Sequence, residues 1–102
     1  MRCRLKVPII YARIHGFFGP QEAAAFERKT GAVVADDEGG CTVGQSFWVI
    51  DRKYMLHELE HVVDHIMSSY GIHSREFRAY LMDYVVTAFD KLVDRRQPRR
   101  KK

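Results

Sequence analysis

His57-Glu58-Leu59-Glu60-His61 reads H-E-x-x-H, and these residue types at this spacing are those of a zinc-dependent hydrolytic site. On a helix, residues four apart stand one above the other on one face, so two imidazoles can share a single tetrahedral zinc ion. Glu58 then lies beside the metal, placed to take a proton from a water whose pKa the metal has lowered to about 7. The competing reading is a pair of solvated surface histidines.

The segment that carries the motif is patterned as a helix. Asp51 stands as its N-cap and Gly71 as the residue that closes it. Between them Met55, Leu56, Leu59, Val62, Val63, Ile66, Met67 and Tyr70 recur at helical spacing as one apolar stripe. His57 and His61 project roughly 150–190° from the centre of that stripe, so they are not packing residues.

Hydrolytic zinc takes three protein ligands and keeps one position open. His65 continues the spacing, but at 1.5 Å per residue it stands about 12 Å along the axis from His57, which suits a supporting or surface role. Glu76 is the favoured third ligand. It lies in the first turn of a final helix that the tight Gly71-Ile72-His73 connection folds back antiparallel along the first. A helix-start carboxylate favoured by the macrodipole is the alternative, and His73 competes for the role. Asp64 and Asp83 are candidates to orient a ligand histidine, and Tyr80 to donate to a developing oxyanion; as core tyrosines with wet hydroxyls, Tyr80 and Tyr84 have an ordinary reading too.

The elements that must position these groups follow in order. Arg4 to His15 reads as a half-buried strand whose alternation slips after Pro8, and Gly16-Phe17-Phe18-Gly19-Pro20 as a break. Pro20 to Lys29 is a short helix with Gly31 beyond it, Ala32 to Ala35 a strand candidate, and Asp36 to Gly40 a solvated turn. Cys41 to Ile50 reads as a strand feeding the motif helix, and its edge near Phe47 to Ile50 is expected to take up an extended peptide by strand addition. Ser74 caps a last helix running to about Arg95, with Phe77, Tyr80, Leu81, Tyr84, Val85, Ala88, Phe89, Leu92 and Val93 on its apolar face. The expected fold is α+β, a small antiparallel or mixed sheet packed on two antiparallel helices.

Charge divides the chain. Arg95, Arg96, Arg99, Arg100, Lys101 and Lys102 are six of its 17 basic residues; without them 11 remain against 13 acidic ones, a net of −2. One domain over 1–94 with a basic, disordered tail over 95–102 is therefore expected. The chain has no run of 18 apolar residues and no signal-peptide pattern, which points away from membranes and toward a cytoplasm. Cys3 and Cys41 read as free thiols, neither a CxxC pair nor a disulfide framework.

His57-Glu58-Leu59-Glu60-His61 followed by Glu76-Phe77-Arg78-Ala79 resembles the gluzincin pattern of zincin metallopeptidases, HExxH and then a helix with ExxA. The stretch from Met55 to Leu81, with the opening Lys6-Val7-Pro8-Ile9-Ile10-Tyr11, looks like the minimal zincin-like proteins of tailed bacteriophages and prophages. The resemblance implies a zincin-like fold, zinc at His57, His61 and Glu76, Glu58 as general base, and a place in the host cytoplasm or the virion. It departs from larger gluzincins in lacking the second domain that walls their substrate cleft.

Three functions compete. The first is a zinc metallopeptidase acting on a peptide or protein substrate. The second is a non-catalytic virion or assembly protein with a structural zinc, its basic tail contacting DNA or a partner among phage structural proteins. The third is a nucleic-acid-binding module driven by the tail, against which the slightly acidic body counts.

Overall fold

Alternating charged and apolar residues open the chain as a strand, Arg2–Val7 (β1), with Cys3 and Val7 buried and Arg2, Arg4 and Lys6 exposed. The alternation slips after Pro8 because the chain turns there. Tyr11 takes a φ of 55°, and Ala12–Phe18 (β2) returns antiparallel with Val7 opposite Ala12 and Arg2 opposite Phe17. The stretch read as one strand is thus a hairpin. The Gly16-Phe17-Phe18 break is likewise part of β2: a Cβ on residue 16 would lie 2.8 Å from Phe47 and 3.0 Å from Phe89, so glycine makes room for rings rather than for a turn. This computed structural model describes residues 1–8, 10–35 and 38–96.

A single 3-10 turn at Pro20–Glu22 leads into Ala23–Thr30 (α1), closed by Gly31 as expected. No strand is assigned to 32–35; this stretch lies along α1, where the Val34 amide donates to Glu27 Oε2 (2.8 Å). Ala32 and Val34 pack there against a small cluster of Phe17, Phe26 and Trp48. Asp36 and Asp37 of the expected turn lie outside the described residues.

The stretch from Cys41 to Ile50 is a second hairpin, Gly40–Val43 (β3) and Ser46–Val49 (β4), not one strand. Its two-residue turn places Gly44 (φ 60°) first, where a type II′ turn demands positive φ. The sheet order is β1-β2-β4-β3, with β2 and β4 parallel and the other pairs antiparallel. Phe47 to Val49 therefore lie on an interior strand. The free edge beside the motif helix belongs to β3 instead, which corrects the expected peptide-binding edge. The same order sets Cys3 and Cys41 on opposite edge strands, and both are free.

Asp51 caps the helical turn that precedes Met55–Ser69 (α2), accepting from the Lys53 amide (2.9 Å). Ser74 caps Arg75–Arg96 (α3), accepting from the Phe77 amide (3.1 Å). The two helices run antiparallel and are tied at both ends. Arg78 reaches Glu60 and Asp64 (2.9 Å each), and Arg52 reaches Asp90 (2.7 Å) and Asp94. Exposed pairs of this kind contribute about 0–1 kcal/mol each. Most of the stability comes from the face beneath, where Ile14, Phe18, Phe47, Val49, Leu59, Val63, Val85 and Phe89 form one core. The architecture is α+β with a mixed sheet, and α3 continues through Arg95 and Arg96, the first two residues of the expected tail. Arg99, Arg100, Lys101 and Lys102 lie outside the described residues.

On the sheet face away from α2 and α3, His15 is half-buried, and its pKa is lowered from 6.5 by burial first and then by Lys29, Arg4 and Arg13. A histidine with a depressed folded pKa binds its proton less readily folded than unfolded. Stability is therefore fully present above the unfolded value and falls as pH drops through it toward the folded one. His15→Gln is expected to lessen the drop in Tm on going from about pH 7 to about pH 5. Parallel pH profiles for the two chains would rule this out.

Candidate metal centre

The first turns of α2 place His57 and His61 on the solvent side of the helix, as their distance from the apolar stripe requires. Their Nε2 atoms stand 3.2 Å apart, with the rings 4.8 Å apart between centroids and crossed at 85°. Two nitrogens on one tetrahedral zinc, at bonds of 2.0–2.1 Å, are separated by about 3.3–3.4 Å. The pair thus stands at the spacing that zinc needs; with no metal bound, the same distance suits a hydrogen bond from one imidazole to the other.

Glu58 turns the other way, toward the sheet. It is only 5% exposed, the one charged residue buried among the described residues. Thr42, on edge strand β3, donates its hydroxyl to Glu58 Oε1 (2.7 Å). Oε2 lies 3.9 Å from His57 Nε2. Gly40 permits this approach, since a Cβ at that position would stand 2.8 Å from Oε2. One carboxylate oxygen is therefore held while the other faces the histidine pair, an arrangement suited to receiving a proton at a fixed point.

These groups line an open cavity of about 470 Å³ between α2 and β3, bordered also by Glu38, Gly44 and His65. His65 is at the cavity but one turn beyond the pair, with its Nε2 3.2 Å from the Ser69 hydroxyl. Cys41 is at the cavity as well, while strand alternation turns its side chain to the opposite sheet face, into the cluster with Trp48.

Glu76 is not brought to the cavity. At 100° per residue it stands about 180° from the mean direction of Leu81, Val85 and Phe89, which face the core, and it is exposed. The antiparallel helix was expected correctly, but its rotation is set by that apolar face and by Arg78 gripping Glu60 and Asp64. Asp64 is thereby engaged with Arg78. Tyr80 (60% exposed) and Asp83 line a shallow hollow along α3, away from the histidines. His73 is exposed in the connection between the helices.

Among the described residues no set of three His, Cys, Asp or Glu side chains stands together as a complete ligand group. The sequence reading missed Thr42 and Gly40. The signal was there in part: a carboxylate on the border of a packed stripe needs a donor from the facing strand, but only the register shows which strand faces it. No helix among the described residues is long and apolar enough to cross a membrane. In comparisons with known proteins, no family model, curated protein or solved structure matches the chain.

Proposed function

We propose that the chain is a zinc-dependent hydrolase acting on peptide bonds. The observation that carries this is the buried Glu58 carboxylate, fixed through one oxygen by Thr42 and presenting the other beside two imidazole nitrogens 3.2 Å apart. His57 and His61 would hold the metal. Zinc bound there would polarise a scissile carbonyl and acidify water. Glu58 accepts the proton at Oε2 and returns it to the leaving amine, while the free edge of β3 offers backbone groups to an extended peptide along the cavity wall.

The resemblance of 55–81 to minimal zincin-like phage proteins supports the same reading and a phage or prophage origin. A purely structural zinc, as in an assembly protein, is favoured less. His57 and His61 lie on one helix that is already packed, so a metal on that pair joins no separate elements and adds little to folding.

The test is the zinc content of the purified chain after zinc loading, beside His61→Ala and Glu76→Ala. About one zinc per chain is expected, lost in His61→Ala. If Glu76→Ala also loses it, the first turn of α3 swings in to complete the site, as the resemblance implies; if zinc is retained, Glu76 is not a ligand. A wild-type chain that takes up no zinc would falsify the hydrolase reading.

A further inference from the structure

The outer face of the β1–β2 hairpin carries charge that the metal centre does not use. Arg4, Lys6 and Arg13 all point outward and are exposed. The register sets Lys6 directly opposite Arg13, so two like charges face each other across the strands, an unfavourable arrangement when nothing neutralises it, and Arg4 stands on the same face opposite His15. Lys29 and both arginines are close enough to depress the proton affinity of His15. Arg2, on the same face, is neutralised by Glu22 (2.9 Å); among the described residues Arg4, Lys6 and Arg13 have no carboxylate partner.

We infer that this hairpin face, through Arg4, Lys6 and Arg13, docks on the phosphodiester backbone of a nucleic acid. Cations two residues apart along a strand are spaced by about 6.6 Å and stand in a fixed row, which suits a polyanion of repeating charge. The face lacks what an anionic bilayer requires. The apolar side chains of β1 and of β2 up to Gly16 turn into the core, leaving no aliphatic wedge for a bilayer; the large exposed side chain beside the cations is the aromatic Tyr11, with the Lys6 ammonium 5.8 Å from its ring centroid. The described region ends at β1, on the edge of the sheet, with α3 arriving from the opposite sheet face. Arg96 donates to the Arg2 carbonyl (2.9 Å), and the six residues that follow include Arg99, Arg100, Lys101 and Lys102.

The surface is independent of zinc, so its failure and that of the hydrolase reading are separable. The probe is a fluorescein-labelled mixed-sequence DNA duplex, titrated with the full chain over a salt series. Arg4→Gln/Lys6→Gln/Arg13→Gln is expected to weaken binding at least about tenfold near 0.1 M salt and to make the slope of log K against log salt shallower by about 2 to 3. Its Tm should hold or rise, because repulsion across the hairpin is relieved. The swap Arg4→Lys/Lys6→Arg/Arg13→Lys should keep the slope, since phosphate contacts of this kind read charge. A chain ending at Arg96 should bind more weakly but still respond to the triple glutamine change. The inference is overturned if the triple variant binds like wild type at every salt, if the swap loses binding too, or if the shortened chain is indifferent to the triple change. It is also overturned if wild type ignores the duplex or prefers phosphatidylserine vesicles.

Discussion

Replacing Glu58 with glutamine is expected to leave the zinc content of the chain unchanged while cleavage of a quenched fluorescent peptide library falls by about 10²–10⁴-fold. Glutamine has the shape of glutamate, so it fills the same buried position and can still accept a hydrogen bond from Thr42 through its amide oxygen. What it cannot do is take a proton at the atom that faces His57, 3.9 Å away in the native chain. Because His57 and His61 are untouched, metal binding serves as an internal control for correct folding. Equal turnover in the variant and the wild type would move the base elsewhere, and with it the assignment of this cavity as a catalytic centre.

Phe89→Ala is expected to be the most destabilising single truncation, costing about 3–5 kcal/mol in urea unfolding at an unchanged m-value. Phe89 is fully buried at the point where α3 meets the sheet. Its ring meets Phe47 edge-on at 5.3 Å between centroids and lies 6.3 Å from Phe18, above Gly16. The glycine has no side chain with which to fill the void, and the strand beneath is paired on both sides and cannot collapse into it. With a domain stability of about 5–15 kcal/mol, the variant would sit near its folding threshold, so Phe89→Leu is the milder comparison. A loss below about 1 kcal/mol would mean that α3 is not held on the sheet through this residue.

The long helices were legible because each is a long amphipathic run with its own punctuation. Eight apolar residues at helical spacing, Asp51 ahead and Gly71 behind identify α2; six of the eight are buried, Leu56 and Tyr70 are exposed, and the buried stripe turns His57 and His61 to solvent. Ser74 and the row from Phe77 to Val93 do the same for α3. Strand boundaries were less legible. The connection from β1 to β2 has no glycine, so the usual turn signal is missing, and the second hairpin turns on a single glycine, Gly44, inside a short stretch with strand-forming residues on both sides. Gly16 looked like a breaker because a sequence cannot distinguish a glycine needed for φ from one needed for space.

Local sequence alone determined the histidine pair: both ligands come from one helix, and the helix period by itself brings them to 3.2 Å. It also determined the α+β class and the antiparallel return of α3, since a five-residue connection leaves little choice. Tertiary structure decided everything that depends on which elements are neighbours. The parallel pairing of β2 with β4 puts β3 at the edge beside α2, brings Thr42 to Glu58 and leaves Arg4, Lys6 and Arg13 uncovered on the far side. The rotation of α3, which turns Glu76 to solvent, was decided there too. A helix's own period ranks its faces, but the core it packs against sets where those faces point.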